Sequence, residues 1–224
     1  MFTNADTAPI SPTALGFPRR PLLAMVVAAA TLPSLRALAA AAPPDATTTI
    51  KQFNDALLAA MKSGKQTDFG RRFQALAPEV DRVFDLHVVL AVSVGPGWAN
   101  LSADQQNRLL DTFRRYTVAS YVANFDSYTG QSFTVSPDAR PLDASHVVVQ
   151  SRITPIKGDS TELDYVMKQT PLGWKVVDVL AAGSISRIAV QRSDFRHILS
   201  IGGGDALLAS LQRKIADLSG GALA

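Results

Sequence analysis

The hydrophobic period of this sequence changes after Gly130, and that change limits the folds open to the chain. Before Gly130, apolar residues recur every three to four positions, which is typical of helices. Beyond it they alternate with polar residues, which is typical of strands that bury one face. Turns at Lys157–Ser160 and Pro171–Gly173 are of hairpin length, so the sheet is expected to be antiparallel. The predicted strands are Ser132–Val135, Ser145–Thr154, Glu162–Gln169 and Trp174–Ala181.

Alternation also predicts which side chains of the central strands share a face. Val147, Val149 and Ile153 lie on one side of their strand. The next strand places its apolar side chains in the same way, and these are Leu163, Tyr165 and Met167. One face of the sheet is therefore expected to be dry.

Helical patterns precede these strands. The first predicted helix begins at Ile50 and ends at Gly64, and a second is expected around Phe69 and Phe73. Pro78 suits the first turn of a third helix, because a proline there loses no helical hydrogen bond. The chain is therefore expected to begin its domain with a helical layer.

The longest helix opens at a capping box formed by Ser102 and Gln105 and is expected to run about 25 residues to Gly130. After the strands, Ser184–Leu199 and a segment behind Asp205 are also predicted to be helical. Helices first, strands in the middle and helices last predict an α+β domain. In such a domain, helices cover one face of a curved antiparallel sheet.

The first forty residues have the features of a targeting segment. Arg19 and Arg20 precede the uncharged apolar run 21–35, and an Ala-x-Ala pattern follows at Ala37 and Ala39. This order predicts a secretory signal peptide over residues 1–39, cut near Ala39. Residues 40–49 are then expected to form a flexible mature N-terminus, ahead of a single domain over residues 50–220.

Two alternatives apply to this segment. A short membrane anchor is disfavoured because Pro33 and Arg36 interrupt the apolar run. Twin-arginine export is a second route, but "PRRPLLA" matches that pattern weakly, so general secretion is favoured. Either route exports the mature protein across the inner membrane, and no disulfide chemistry is needed there.

Charge and cysteine content narrow the class of protein. The formal net charge falls from +3 to +1 when residues 1–39 are removed, since Asp6 and three arginines leave with them. A basic surface for nucleic acid is therefore not expected. The chain has no cysteine, so an exported form would depend on core packing rather than disulfides.

No convincing metal, cofactor or nucleophile site is readable. His87, His146 and His197 fall in different elements and lack metal-ligand spacing. The "GSIS" turn at 183–186 lacks the Gly-x-Ser-x-Gly pattern of a nucleophile elbow, so its serines are interpreted as helix caps. The "GGGD" segment at 202–205 lacks the Lys-Ser/Thr ending of a phosphate loop and is interpreted as a linker between helices. Neither a metal nor a cofactor is therefore expected.

Two longer stretches carry a family resemblance. In "GPGWANLSADQQNRLLDTFRRYTVASY" the matching residues are Gly95, Trp98, Ser102, Gln106, Phe113, Tyr116 and Tyr121. In "GWKVVDVLAAGSISRIAVQRSDF" they are Gly173 to Val179, Gly183, Ser184, Ile185, Arg192 and Phe195. Over residues 50–218 the chain resembles the MlaC-type periplasmic lipid-binding proteins, the toluene-tolerance auxiliary components of ABC transporters. Within that family it is most similar to the hopanoid-biosynthesis-associated HpnM branch.

The resemblance implies an NTF2-like, cone-shaped domain whose sheet and helices enclose a hydrophobic cavity for lipid tails. It also implies the partners: a phospholipid or hopanoid ligand, an inner-membrane ABC-transporter or MCE-type complex, an outer-membrane acceptor and transient contact with a membrane surface. The sequence differs from many phospholipid carriers at "VGPGW", where those have a Leu-Gly-x-(Tyr/His)-Trp run. The choice between phospholipid and hopanoid is therefore left open.

Strand alternation and the apolar stripe of the long helix give a predicted cavity lining. The predicted lining residues are Val89, Val92, Trp98, Phe113, Tyr116, Val147, Val149, Tyr165, Met167, Trp174, Val176, Ile185 and Ile188.

The mouth of the cavity is expected at mobile segments, with Gly95–Gly97 and Gly202–Gly204 as hinges. Arg114 and Arg115 are candidate cations for lipid headgroups, although a solvated helix face explains them equally well.

Two functions remain at this stage. A non-enzymatic lipid carrier is the leading hypothesis, since a carrier needs no nucleophile, metal or nucleotide. The alternative is a hydrolase or isomerase of the same fold, acting on an apolar substrate with Asp164 or Asp178 as its base.

Overall fold

A computed structural model describes residues 45–223 of the 224-residue chain. The predicted signal peptide lies outside the described residues, as do residues 40–44 of the predicted flexible N-terminus. The helices are α1 (Ala46–Ser63), α2 (Phe69–Val83), α3 (Leu86–Val94), a short 3-10 helix (Gly95–Asn100), α4 (Ala103–Asn124) and α5 (Arg187–Ser219). The strands are β1 (Ser132–Val135), β2 (Arg140–Pro141), β3 (His146–Thr154), β4 (Thr161–Thr170), β5 (Gly173–Ala181) and β6 (Ile185–Ser186).

The strands form one antiparallel sheet in the order β1-β3-β4-β5-β6. The short strand β2 pairs with the same edge of β3 as β1 does, opposite Val147 and Val148. Val147 lies opposite Met167, and Val149 lies opposite Tyr165, so the apolar side chains of β3 and β4 do share the inner face. Helices α1 to α5 contribute to the core that covers this face. The predicted α+β class, with helices over a curved antiparallel sheet, is confirmed.

A β-bulge at Val177 alters β5. Val166 pairs with Asp178, whereas Met167 pairs with Val176, so one extra residue is inserted between these pairs. Beyond the bulge, Val179 rather than Asp178 lies opposite Tyr165. The bulge therefore changes which β5 side chains reach the inner face.

Helix α1 begins at Ala46, four residues before the predicted start at Ile50. The Asp45 carboxylate accepts a hydrogen bond from the Thr48 backbone N–H at 2.7 Å and caps the helix there. Residues 46–49 are thus helical, so the first helix extends four residues into the segment that the sequence assigns to the mature N-terminus.

The prediction of a separate third helix opened by Pro78 is wrong. Pro78 lies inside α2, which runs without interruption to Val83. An internal proline removes one helical hydrogen bond and costs about 3 kcal/mol in free energy. Burial of Leu76, Val80 and Val83 on the same helix offsets that cost. The apolar segment that follows α2 forms α3 and the 3-10 helix.

The capping box of α4 is confirmed. The Ser102 side chain accepts from the Gln105 N–H, and the Gln105 side chain accepts from the Ser102 N–H. The helix has 22 residues and ends at Asn124 rather than continuing to Gly130. At Phe125 the backbone leaves the helix, and the Phe125 ring stacks on Tyr121 at a centroid distance of 5.9 Å.

The expected break in the C-terminal helices is a kink within α5. Gly203 has a φ of 63° and Gly202 is also non-helical. A positive φ of this size favours glycine, which has no Cβ. Helix α5 itself begins at Arg187, where the Ser186 side chain accepts from the Ala189 N–H as the predicted serine cap. None of the helices within residues 45–223 is long and apolar enough to cross a membrane.

Candidate ligand cavity

A cavity of about 250 Å³ lies between α4, the inner face of the sheet and the start of α5. Its floor is formed by Phe84, Leu86 and Val89, at and just before the start of α3. Its sheet wall combines side chains of β4 and β5, and these are Leu163, Tyr165, Val179 and Ala181. Its surface is therefore mainly apolar on these two sides.

The helical wall comes from one stripe of α4 and the residue that follows it. Phe113, Tyr116, Tyr121 and Phe125 supply aromatic rings to the cavity. Smaller polar residues interrupt them on the same stripe, and these are Thr117, Ser120 and Asn124. The spacing of three and four positions places both sets on one helix face.

Most of the small polar side chains are satisfied by their own helix. The Thr117 hydroxyl donates to the Phe113 carbonyl at 2.9 Å, and the Ser120 hydroxyl donates to the Tyr116 carbonyl at 2.8 Å. The Asn124 amide donates to the Ser120 carbonyl at 2.8 Å. Their hydrogen-bond donors are thus turned onto the helix backbone rather than toward the cavity.

Two tyrosines form the boundary between the cavity and the packed core. Phe53 of α1 makes edge-on contacts with both rings, at 5.2 Å to Tyr121 and 6.4 Å to Tyr165. Burial raises the pKa of the Tyr165 hydroxyl, and the neighbouring Tyr121 raises it further. Burial also raises the pKa of Tyr121, while the positive charge of Arg187 opposes that rise.

The first two turns of α5 contribute Arg187, Ile188 and Gln191 to the cavity lining. Arg187 is exposed and brings a positive charge to this part of the cavity. The Gln191 side-chain oxygen accepts from the Ser93 hydroxyl at 3.2 Å and connects α5 to α3. The edge between α4 and α5 is therefore more polar than the floor.

Asp178 fixes the start of α5 beside the cavity. One carboxylate oxygen accepts from the backbone N–H groups of Val179 at 2.8 Å and Ile188 at 3.1 Å. The other oxygen accepts from the Ser186 hydroxyl at 2.5 Å. All three bonds hold β5, β6 and α5 together, so this carboxylate is engaged as a structural anchor.

Asp164, the other strand carboxylate, lies away from the cavity. It stands between Leu163 and Tyr165 in β4, and both of those neighbours line the cavity. Because side chains alternate along a strand, Asp164 projects from the opposite face of the sheet. Asp164 therefore lies on the face of the sheet away from the cavity, and the Asp178 carboxylate is already engaged in three hydrogen bonds.

The structure brings some of the predicted lining residues together at the cavity and not others. Those at the cavity are Val89, Phe113, Tyr116, Tyr165 and Ile188. Val149, Met167 and Val176 are fully buried in the adjoining core, and Val147, Trp98 and Trp174 are half-buried against it.

Two of the predicted residues are at the surface, where Val92 is 41% exposed and Ile185 is 55% exposed. Helix α3 is apolar on nearly every side, so its sequence does not reveal that Val92 faces out. Ile185 belongs to the two-residue edge strand β6, which presents it to solvent. A direct role for these two side chains in lining this cavity is not supported.

Several cavity residues were missing from the prediction. Leu163 shares a face with Tyr165 by simple alternation, and Tyr121 and Phe125 extend the stripe of α4 by steps of four, so the signal for these three was present. Val179 was hidden because the bulge at Val177 reverses the alternation of β5. Nothing local in the sequence identified Arg187.

The expected headgroup cations are engaged elsewhere. Arg114 makes a two-pronged ion pair with Asp81, at 2.7 and 2.6 Å, and Arg115 donates to the Leu223 carbonyl at 2.7 Å. Neither lines this cavity, and neither do the two glycine segments expected to form its mouth. The cation at the cavity edge is Arg187.

Within residues 45–223, no cluster of three or more histidine, aspartate or glutamate side chains is arranged to hold a metal ion. His87 packs edge-on against Trp98 at 5.7 Å, and His146 lies 2.9 Å from an Asp143 carboxylate oxygen. These two histidines therefore have structural neighbours of their own.

Comparison with known proteins agrees with this architecture. A solved structure of the phospholipid-binding protein from Ralstonia solanacearum, in complex with a phospholipid, matches with a TM-score of 0.69 and 24% sequence identity. The match covers 79% of this chain and 99% of that one. A search of curated proteins found no match. A family model described as "MlaC protein" matches residues 51–213, which is well over half of the chain. The protein therefore belongs to the MlaC family.

Proposed function

We propose that this protein is a lipid carrier that holds acyl tails in its cavity and moves them across an aqueous compartment. The observation that carries this proposal is an apolar cavity with an aromatic wall and a more polar edge, in a chain of the MlaC family. The Ralstonia solanacearum protein of the same fold holds a phospholipid, which makes phospholipid the first ligand to test.

The energetics favour a carrier for this task. Moving a lipid with about thirty tail carbons into water costs on the order of 20 kcal/mol, at about 0.8 kcal/mol per CH₂ group. A protein that keeps the tails against apolar side chains removes most of that cost. Binding and release are sufficient for the function, and no covalent step is required.

The alternative of a hydrolase or isomerase is less well supported. Its two candidate bases were Asp164, which projects from the far face of the sheet, and Asp178, whose carboxylate accepts three hydrogen bonds. A general base needs a free position within hydrogen-bond reach of its substrate. The non-enzymatic carrier is therefore the better proposal.

Location and partners follow from the same proposal. The predicted signal peptide and the family support a periplasmic location. The carrier would receive lipid from an inner-membrane ABC-transporter or MCE-type complex and exchange it with an outer-membrane acceptor. A hopanoid ligand and membership of the HpnM branch stay predictions. Transfer assays with inner-membrane and outer-membrane vesicles would measure the direction of transport.

The test combines lipid detection with a blocked cavity. Native mass spectrometry of the mature protein, purified from the periplasm of its expression host, is expected to detect bound phospholipid. Ser120→Trp places a large ring in the cavity and is expected to abolish both bound lipid and lipid transfer between vesicles. Val190→Trp, on the exposed part of α5 and outside the cavity, is the matched control and is expected to retain both.

Circular dichroism of the three proteins verifies that each is folded. Wild-type protein that carries no lipid and transfers none between vesicles would contradict the carrier proposal. Equal lipid occupancy in the Ser120→Trp and wild-type proteins would instead show that the lipid binds outside this cavity.

A further inference from the structure

Two tyrosine hydroxyls at the cavity have no hydrogen-bond partner within the described part of the chain, residues 45–223. Tyr165 is 1% exposed and Tyr121 is half-buried, and both line the cavity. Within residues 45–223 neither hydroxyl makes a hydrogen bond, whereas the hydroxyls of Thr117 and Ser120 beside them do. Among those residues, Asn54 Oδ1 is the side-chain polar atom that lacks a partner and is also inaccessible to solvent; neither tyrosine hydroxyl is such an atom. The two phenols are not sealed, so their hydroxyls open onto the cavity.

A phenol in this position is costly without a partner. A hydroxyl that opens onto a mainly apolar cavity and finds no acceptor there loses free energy that phenylalanine, with nearly the same shape, does not lose. The contacts that position the two rings are edge-on packing against Phe53, and a phenyl ring makes them equally well. Within residues 45–223, neither hydroxyl makes a hydrogen bond that would stabilise the fold.

Their place along the cavity indicates what they could bind. Tyr121 lines the cavity together with the exposed Arg187, whose charge acts on its hydroxyl, and with Phe84, whose ring centroid is 5.7 Å from its own. A lipid with its tails on the apolar floor and its headgroup at the polar edge would place its ester groups at the depth of the phenols. Ester carbonyl oxygens are strong hydrogen-bond acceptors, and hydrocarbon tails have none.

We propose that Tyr121 and Tyr165 donate hydrogen bonds to the ester carbonyls of a glycerolipid, and so select ester-linked lipids over ligands without an acceptor at that depth. This inference rests on the proposed carrier function and specifies its ligand class. Within residues 45–223, Thr117, Ser120 and Asn124 donate to their own helix, whereas the hydroxyls of Tyr121 and Tyr165 donate to no protein group, and neither does that of Tyr116, the third tyrosine of the lining. Of these three phenols, Tyr121 and Tyr165 are the pair that packs together against Phe53.

The experiment measures the choice between two lipids in one bilayer. Vesicles contain dioleoyl phosphatidylcholine and its dialkyl ether analogue in equal amounts, so headgroup, tails and membrane are matched. Lipid-free protein is equilibrated with them, and native mass spectrometry gives the ratio of the two bound lipids. The wild-type protein is expected to prefer the ester lipid by about fivefold or more, the factor for one net hydrogen bond.

The variants locate the source of that preference. Tyr121→Phe and Tyr165→Phe are each expected to reduce the ratio, and the double variant is expected to bring it close to one. Tyr128→Phe is the matched control, because Tyr128 is exposed and lies outside the cavity. Its ratio is expected to equal that of the wild type.

The outcomes separate this inference from the proposed function. Wild-type protein that binds both lipids equally overturns the inference and leaves the carrier proposal standing. A wild-type preference that survives in the folded double variant also overturns it. Protein that binds neither lipid overturns both proposals. If the double variant does not fold, the wild-type ratio and the single variants decide the matter.

Discussion

The interior has two halves that use the same inner sheet face in different ways. In the closed half, α1 and α2 place large apolar side chains on the sheet, and Ile50, Phe53, Leu57, Leu76 and Val80 are at most 2% exposed. In the open half, α4 and the start of α5 face β4 and β5 across the cavity. Lining side chains such as Leu163, Val179 and Ile188 are only half-buried there.

The difference lies in the helices rather than in the sheet. The inward stripes of α1 and α2 carry mainly large apolar residues, so they fill the space above the sheet. The stripe of α4 alternates aromatic rings with Thr117, Ser120 and Asn124, whose short side chains reach less far. The cavity lies along this interrupted stripe. The cavity is thus a consequence of where small residues interrupt an aromatic stripe.

The largest effect that we expect concerns the two tyrosines at the boundary between the halves. Burial raises the pKa of both Tyr121 and Tyr165 above that of a tyrosine in the unfolded chain. Their contribution to stability is therefore complete below about pH 10 and is lost as the pH rises toward the raised values. The free energy of unfolding is expected to fall by about 1.4 kcal/mol per pH unit for each tyrosine above about pH 10.

Urea unfolding at a series of pH values from 8 to 12 measures this slope, and phenolate absorbance reports the ionisation directly. Each single Tyr→Phe variant is expected to remove one tyrosine's share of the slope. An unchanged slope in both variants would mean that these tyrosines ionise freely in the folded protein and that the boundary is wet.

A matched pair of valines compares the two halves directly. Val80 is 0% exposed in the closed half, and Val179 lines the cavity in the open half. Val80→Ala is expected to lower the free energy of unfolding by about 2 kcal/mol, because it removes buried methyl groups and leaves a hole. Val179→Ala in lipid-free protein is expected to cost less than about 1 kcal/mol, since the side chain already borders open space. Urea denaturation of both variants measures the difference, and equal losses would mean that the open half is packed as tightly as the closed half.

The sheet was more accessible to sequence-based prediction than the cavity. β1 matches its prediction, and the three long strands match theirs within one residue at each end, because alternation and hairpin turns are local signals. Alternation assigns a side chain to a face, but it does not say whether a helix seals that face. Val149 and Met167 were therefore predicted as lining residues, although α1 and its neighbours bury them completely.

Long-range pairing explains the remaining differences at the site. The partner of Arg114 is Asp81 on another helix, and the partner of Arg115 is a carbonyl near the end of the chain. Such pairs depend on how helices pack and leave no local pattern. The role of Arg187 at the cavity edge has the same origin, because it requires α5 to cross beside α4.

The anchor at Asp178 gives the next effect in size. Asp178→Ala removes the acceptor for Ser186 and for two backbone N–H groups, and we expect a loss of about 2 kcal/mol in the free energy of unfolding. The start of α5 is then less firmly held over the open half, so lipid transfer between vesicles is expected to become faster. Asp194→Ala, at an exposed position whose Lys214 partner is 3.9 Å away, is the control and is expected to change stability by less than about 0.5 kcal/mol. Slower transfer by a folded Asp178→Ala protein would contradict the anchor role.

The smallest effect concerns the kink that divides α5 into a part that lines the cavity and a part that is buried in the core. Before the kink, Ile188 and Gln191 line the cavity, whereas after it Leu207 and Leu211 are fully buried in the core. Gly203 has a φ of 63° with no atom near its added Cβ, so Gly203→Ala is penalised by backbone conformation alone, by about 1 kcal/mol. Gly97→Ala is the matched control, because Gly97 has open space around it and no positive φ, and its effect on stability is expected to stay within about 0.5 kcal/mol. Urea denaturation compares the two variants, and equal stabilities would mean that the kink is not fixed at Gly203, so that both parts of α5 behave as one continuous helix.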